Sequence, residues 1–287
     1  MVNQILPAMK RIIVAIDFSK GSIHALNYAI HIANKAGADI TMIWVDNTSS
    51  AEVIYAHFTN EDRLEHKKSF EELISKYKGQ LKSGHLDFLM RKGKVHLEMA
   101  KAARQKDADL IIAGTHGVTG YEEYWIGSNA YRIVTYAPCP VITIRNDYAF
   151  GEDIHDIVFP IDSSVETKQK LPFTAGLARL FNARIHVLGL YSTNLQSLRK
   201  RLDNNVDHAL DYLKQEKIQY DEHREKTDNI TRYILKFADE QNADLITIMT
   251  EQESTQANVF LGQTSEQLIS HAQTPILSLR PKDLKKI

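Results

Sequence analysis

The segment Arg11-Ile-Ile-Val-Ala-Ile-Asp-Phe-Ser19 has a second copy further along the chain, Asp156-Ile-Val-Phe-Pro-Ile-Asp-Ser-Ser164. The two copies align without a gap as far as Ile40 over Ile185. In each copy a short run of branched apolar residues ends in an aspartate and is followed by a serine. Such a run is typical of a buried strand, and the serine can cap the helix that follows.

A second pair of segments repeats in the same order. Asp107-Ala-Asp-Leu-Ile111 matches Asn242-Ala-Asp-Leu-Ile246, and further on Gly127 falls on Gly262. The spacing between the blocks is slightly longer in the first half. Internal repetition of this kind indicates two homologous halves. We predict domains at residues 1–147 and 153–287, joined near Asn146–His155.

Strand-like and helix-like segments alternate in both halves, which favours a mainly parallel sheet covered by helices on both faces. Pro172 lies within the expected first helix of the second half, where it either kinks the helix or delays its start. In the first half we predict strands at Ile12–Ile16, Ile40–Val45, His85–Met90, Leu110–Ala113 and Val141–Ile144. In the second half we predict them at Ile157–Ile161, Arg184–Leu190, Ile218–His223, Leu245–Met249 and Ile276–Leu279.

The composition excludes several classes of protein. The 287 residues are 43% hydrophobic and 25% charged, close to the globular average. Lys and Arg number 35 against 36 Asp and Glu, a balance that argues against a protein that coats nucleic acid. The apolar runs are too short to cross a bilayer, and Met1–Lys10 does not resemble a secretion signal. We therefore expect a cytoplasmic protein without a nucleic-acid or membrane partner.

Metal and thiol chemistry have little support in the sequence. Cys139 is the one cysteine, so an internal disulfide and a four-thiolate site are excluded. There are 12 histidines but no tight cluster of them, and His24 and His31 lie seven residues apart on one predicted helix. We interpret these residues as surface or packed side chains, with no metal site and no catalytic residue assigned.

The stretch most informative about chemistry runs from Gly114 to Asn129. Gly114 and Gly117 bracket a turn after a predicted strand, where glycine lets the backbone approach a ligand or take a positive φ. Gly127-Ser128-Asn129 then opens a helix, whose free amides and dipole favour an anion. Together these features fit a cradle for a polyphosphate, although the spacing alone fits equally well a set of glycines that only make turns.

This stretch also has a recognisable pattern. Gly-x2-Gly-x9-Gly-Ser, from Gly114 to Ser128, resembles the ATP-binding motif of universal stress proteins, and Asp17-Phe-Ser19 resembles that family's first strand–helix turn. The resemblance covers both halves, so the chain resembles a tandem universal stress protein. It implies an α/β fold of two Rossmann-like domains, of the adenine nucleotide alpha hydrolase-like type. Each domain would be a five-stranded, mainly parallel sheet of order 3-2-1-4-5.

The resemblance also implies a binding residue set for an adenine nucleotide, namely ATP with or without Mg²⁺. The residues are expected at the carboxyl ends of the strands, where such sheets bind ligands. Those implied for adenine and ribose are Ala15, Asp17 and Val45; for ribose and phosphates, Gly114, Thr115, His116 and Gly117; for phosphates, Gly127, Ser128 and Asn129. Asp17 has an alternative interpretation from its position alone, as a helix-capping aspartate.

Departures from the family pattern occur in both halves. Val118 stands where similar proteins often have a basic residue, and Glu122-Glu123 adds negative charge. In the second half the pattern is lost, because Met249, Glu251, Gln252 and Gln263 align with Gly114, His116, Gly117 and Ser128. We therefore predict one nucleotide site, in the first half, and a second half that acts as its structural partner.

Three functions remain open at this stage. The leading hypothesis is a nucleotide-binding regulator of the stress response whose state is read by protein partners that the sequence does not identify. The alternatives are a stress scaffold that binds no nucleotide and a slow ATPase, which would use His116 or Asp17 to orient water. The expected assembly is an intrachain pseudo-dimer, and the sequence leaves open whether two chains also form a homodimer.

Overall fold

Strands and helices alternate along the chain in the computed structural model, which describes residues 9–47, 60–115, 127–151, 153–250, 252–254 and 259–281. The first half contains β1 (Arg11–Ala15), α1 (Lys20–Ala36), β2 (Asp39–Asp46), α2 (Asn60–Tyr77), β3 (Leu86–Lys92), α3 (Val95–Gln105), β4 (Leu110–Gly114), α4 (Ser128–Tyr136) and β5 (Val141–Ile144).

The second half repeats this order and adds a hairpin. It contains β6 (Asp156–Ile161), a 3₁₀ turn (Glu166–Lys170), α5 (Leu171–Phe181), β7 (Arg184–Tyr191), α6 (Gln196–Gln215), β8 (Tyr220–Lys226), α7 (Ile230–Glu240), β9 (Leu245–Met249), β10 (Gln252–Ser254), β11 (Val259–Leu261), α8 (Gln263–His271) and β12 (Ile276–Leu279). None of the helices in the described ranges is long and apolar enough to cross a membrane.

The two halves share a single ten-stranded sheet of order β3-β2-β1-β4-β5-β12-β9-β6-β7-β8. Within each half the strands are parallel and follow the predicted order 3-2-1-4-5. The halves meet where β5 pairs with β12 in antiparallel fashion, with Ile142 opposite Leu277. The α/β fold class is confirmed, whereas no pattern in the sequence indicated that the two halves would share a sheet edge.

Side chains alternate between the two faces of the sheet, and each face has its own core. Ile12 and Val14 of β1 pack with Leu26 of α1, whereas Ile13 packs with Met99 of α3 on the other face. This alternation follows from the two-residue period of a strand. Since both faces are covered, the strands are apolar along their length, as the sequence indicated.

Helix α1 shows how the local sequence sets its ends. The Ser19 hydroxyl accepts a hydrogen bond from the Ser22 amide (3.2 Å), which satisfies a first-turn donor. Gly37 ends the helix in the left-handed region, at φ 69°, which glycine adopts at little cost.

The corresponding helix of the second half begins later. A 3₁₀ turn occupies Glu166–Lys170, and α5 starts at Leu171 with Pro172 in its first turn. Proline is tolerated there because its missing N–H group would have had no partner within the helix. Pro172 therefore delays the helix and does not kink it.

Candidate functional site

Three adjacent strands end side by side at the carboxyl edge of the first-half sheet. Ala15 is the last residue of β1 and pairs with Ile43 of β2, while Gly114 ends β4 on the other side of β1. The side chains of Ala15 and Val45 both pack against the core that contains α3. The sheet thus brings Ala15 and Val45, two of the three residues implied for adenine and ribose, to one face beside the end of β4.

The turn after β1 is held by its own side chains. Asp17 is exposed, and its Oδ1 accepts a hydrogen bond from the Ser19 amide (3.0 Å). Its Oδ2 makes no hydrogen bond within the described part of the chain. The second half has the same turn, in which Asp162 Oδ1 accepts from the Ser164 amide (2.8 Å). One carboxylate oxygen of Asp17 therefore serves the fold, and the other can accept a bond from a ligand.

Between these two residues, Phe18 adopts a left-handed backbone conformation, at φ 62°. Its ring stacks on His66 of α2, with ring centroids 5.4 Å apart and planes 8° apart, and also contacts Phe70. Trp44, near the end of β2, lies 4.3 Å from the His66 ring. These aromatic contacts hold the β1–α1 turn from the sheet face opposite Ala15 and Val45. No pattern in the sequence indicated these contacts.

Gly114 faces the first turn of α1. A β-carbon on Gly114 would lie 2.9 Å from both the carbonyl carbon and the oxygen of Gly21, closer than such contacts occur. Gly114 is not among the residues with positive φ. Glycine is therefore required here for close packing of a strand against a helix, which draws the start of α1 towards the strand ends.

The two ends of the glycine stretch are tied together. Thr115 is buried, its amide donates to the Ile144 carbonyl (3.0 Å), and its own carbonyl accepts from the Gly127 amide (2.7 Å). Gly127 is the N-cap of α4 and has no side chain to bond the first-turn amides. Ser128 and Asn129 are exposed. The start of α4 therefore presents backbone donors and the positive end of the helix dipole without a side-chain cap.

Part of the predicted set cannot be placed. His116 and Gly117 lie outside the described residues, as do Val118, Glu122 and Glu123, the positions that depart from the family pattern. Of the ten predicted residues, the sheet edge and α4 carry the remaining eight, namely Ala15, Asp17, Val45, Gly114, Thr115, Gly127, Ser128 and Asn129.

The equivalent region of the second half is built differently. The side-chain nitrogen of buried Asn205 donates to the carbonyl oxygens of Asp162 (3.0 Å) and Ser164 (2.9 Å). A β-carbon on Gly189 of β7 would lie 2.9 Å from the Val206 side chain, so α6 packs directly on this strand. These contacts fasten the β6 turn to α6, and sequence reasoning missed Asn205.

Lys170 is a second feature peculiar to this half. It aligns with Ala25 of α1, yet it is buried, with Nζ 3.1 Å from both the carbonyl and the hydroxyl of Thr167. The ammonium lies over the Phe159 ring, 4.6 Å from its centroid. Burial lowers the pKa of Lys170 to about 8, an effect that the charge of Asp162 partly opposes. A lysine at an apolar position of the repeat was the signal in the sequence for this site.

In the second half, the segment that aligns with the glycine stretch forms a β-hairpin and contacts the first half. It contributes the antiparallel strands β10 and β11. The amide of buried Leu261 donates to the Tyr131 hydroxyl of α4 (3.1 Å). A helix of the first half is thereby bonded to the second half.

Metal and thiol sites find no support among the residues described. No group of three or more His, Cys, Asp or Glu side chains within the described ranges is placed to hold a metal ion. Burial raises the pKa of the Cys139 thiol to about 12, so the thiol stays protonated at neutral pH.

Comparison with known proteins identifies the repeat. The model of the universal stress protein family matches residues 9–145 and again residues 154–280. Universal stress protein YxiE of Bacillus subtilis is 28% identical over 145 residues, which cover 47% of this chain and 98% of that protein. A putative universal stress protein of Staphylococcus epidermidis is 34% identical over 145 residues, covering 48% of this chain and 85% of that protein.

Solved structures show the same fold over both halves. The crystal structure of a universal stress protein from Archaeoglobus fulgidus matches with a TM-score of 0.74 and 16% identity, and the match covers 95% of this chain and 98% of that one. A putative universal stress protein from Pseudomonas aeruginosa matches with a TM-score of 0.69 and 15% identity, over 96% and 95% of the two chains.

Proposed function

The chain belongs to the universal stress protein family, and we propose that it is a regulatory protein of the stress response that binds one molecule of ATP in its first half. The observation that carries this proposal is the meeting of three strand ends with an uncapped helix start at one edge of the first-half sheet. In an open α/β sheet this edge is the usual place for a ligand.

Each described group suits one part of a nucleotide. Ala15 and Val45 offer apolar contacts for a base on the face of the sheet that carries α3. The Asp17 Oδ2 is available to accept a hydrogen bond from a ribose hydroxyl. The first-turn amides of α4 and the exposed Ser128 hydroxyl suit phosphate oxygens.

A single site for each chain follows from the differences between the halves. Met249 and Glu166 replace Gly114 and Gly21, so the second half lacks the glycine pair that brings helix and strand together. Asn205 fastens the turn that corresponds to the proposed ribose contact. We therefore assign the second half a structural role, completing the sheet on which the first half depends.

The proposed mode of action is binding and not turnover. The phosphate ligands proposed here are backbone amides and a hydroxyl, which hold an anion but do not activate water. Bound ATP would fix the start of α4, and α4 contacts the second half through Tyr131. Nucleotide occupancy could in this way be communicated to the surface of both halves and read by a protein partner.

The experiment that tests this proposal is an aspartate substitution at the N-cap of α4. In Gly127→Asp the carboxylate would cap the first-turn amides and repel phosphate, while the extended backbone there (φ −58°, ψ 142°) accepts a side chain. ATP titrated calorimetrically should bind the wild type in a one-to-one ratio and bind the variant at least about tenfold more weakly.

The matched control is Gly262→Asp, at the N-cap of α8, where the backbone is similar (φ −62°, ψ 153°). Gly262 is buried whereas Gly127 is half-buried, so thermal unfolding must first show that each variant folds. The folded Gly262→Asp protein should then bind ATP as tightly as the wild type. Equal loss of binding in the two variants would contradict a site confined to the first half. Absence of ATP binding by the wild type, with and without Mg²⁺, would favour the scaffold.

A further inference from the structure

A groove lies between α7 and α8 of the second half, and its lining includes none of the described residues of the proposed nucleotide site. Its volume is about 640 Å³, within the range of small-molecule sites. Its apolar lining consists of Leu235, Ala238, Ile246 and Ala272. Polar groups on α7 and α8 complete the lining, among them Asn229, Thr231 and Gln267.

The repeat shows why this half has a groove. In the first half, His96 of α3 and Tyr136 of α4 bring their rings within 4.7 Å of each other and bridge the two helices. The aligned residues of α7 and α8 are Thr231 and His271. Two large rings are thus replaced by one small side chain and one imidazole.

The replacements do not restore the bridge. The Thr231 hydroxyl donates to the Gln267 side-chain oxygen (3.0 Å). This hydrogen bond links the two helices, but it fills less space between them than a pair of rings. His271 Nδ1 lies 2.8 Å from the Gln267 carbonyl of its own helix, so the ring turns back along α8. The space that the rings occupy in the first half therefore stays open in the second.

The charges at the groove favour one kind of ligand. Arg232 is exposed, lines the groove and forms no ion pair within the described residues, whereas Lys236 is paired with Glu240 (3.3 Å). Asp239, also in the lining, would repel a ligand with several negative charges. The first-half counterpart of Arg232 is Leu97, so the free cation also belongs to this half alone.

We propose that the α7–α8 groove binds a small amphiphilic monoanion, with an apolar body on the floor formed by Leu235 and Ala272 and one carboxylate or sulfonate on Arg232. The site does not depend on the nucleotide site and can be tested without ATP. Its ligand class is distinguished from nucleotides by the single charge and by the apolar floor.

The test uses two fluorescent probes with the full chain. 8-Anilinonaphthalene-1-sulfonate carries one sulfonate on an apolar body, and N-phenyl-1-naphthylamine has the same body without the charge. The wild type should bind the sulfonate at one site and more tightly than the neutral probe. Arg232→Leu should weaken sulfonate binding by about threefold, typical of a partly exposed ion pair, and leave the neutral probe unaffected.

A double variant that imports the first-half rings, Thr231→His with His271→Tyr, should close the groove and weaken both probes at least about tenfold. Thermal unfolding identifies variants that fail to fold. The proposal is overturned if neither probe binds the wild type, if Arg232→Leu affects both probes equally, or if the folded double variant binds as the wild type does. If the double variant does not fold, the comparison of the two probes on Arg232→Leu decides the matter alone.

Discussion

Gly114 lies so close to the backbone of Gly21 that a side chain on Gly114 would not fit between β4 and α1. A β-carbon on Gly114 would lie 2.9 Å from the carbonyl carbon of Gly21. In the second half Met249 and Glu166 take these two places, and the helix there begins with a 3₁₀ turn. The half that lacks the glycine pair therefore also has a later helix start. We infer that the pair allows α1 to begin close to the end of β4.

Gly114→Ala should therefore destabilise the protein by about 1–3 kcal/mol, because backbone and not a flexible side chain must move to admit the methyl group. Chemical denaturation measures this change. Gly79→Ala is the control, since no atom lies within 4 Å of the added carbon. If the two variants have the same free energy of unfolding, the close approach of Gly114 to Gly21 does not contribute to stability.

Asp17→Asn should separate the two roles of that side chain. The amide oxygen of asparagine can still accept from Ser19, so the turn and the stability should persist. The charged acceptor for the ribose is lost, and ATP affinity should fall by about tenfold, as expected for a hydrogen bond to an ionised group. Calorimetric titration of ATP measures it. Asp162→Asn serves as the control in the second half and should bind ATP normally.

Lys170 should make stability depend on pH in an identifiable window. Its folded pKa of about 8 lies below the ordinary value of 10.5, so between these values the unfolded chain binds more protons than the folded chain. Stability should therefore rise with pH across this window, by up to about 3 kcal/mol relative to Lys170→Met. Below pH 8 the difference between the two proteins should be constant. Urea unfolding at a series of pH values provides the measurement, and a flat difference from pH 7 to 10 would refute the burial effect.

Tyr131→Phe should cost about 1–2 kcal/mol, because the buried amide of Leu261 loses its acceptor. Since Tyr131 lies on α4, the loss also loosens the contact between the two halves. Denaturant unfolding monitored by fluorescence measures the cost. Tyr136→Phe, on the same helix, is the control, because its hydroxyl forms no such bond to the second half within the described residues.

The sequence predicted the strands and helices well, because apolar periodicity is a local signal. Strand β5, for example, spans Val141–Ile144, as predicted. The position of Asp17, Val45 and Gly114 at strand ends also followed from the alternation of strands and helices. The repeat also helped, because aligned segments of the two halves predict the same order of strands and helices.

What the sequence did not predict depends on contacts between distant residues. The sequence pattern relates Gly114 to a ligand, whereas the backbone nearest to it in the fold is that of Gly21 in another element. The pairing of β5 with β12 and the bond from Leu261 to Tyr131 join segments more than 100 residues apart along the chain. In the sequence Asn205 is an ordinary polar helix residue, because its hydrogen bonds are to carbonyl groups of the distant β6 turn.

The β5–β12 pairing joins two halves of one chain, which affects how the protein can accumulate substitutions. In a dimer of identical subunits every substitution occurs twice, whereas the two halves of this chain, which pair along β5 and β12, acquire substitutions separately. The pairing also survives dilution, since neither half can diffuse away from its neighbour. Each half can therefore acquire substitutions that the other does not share.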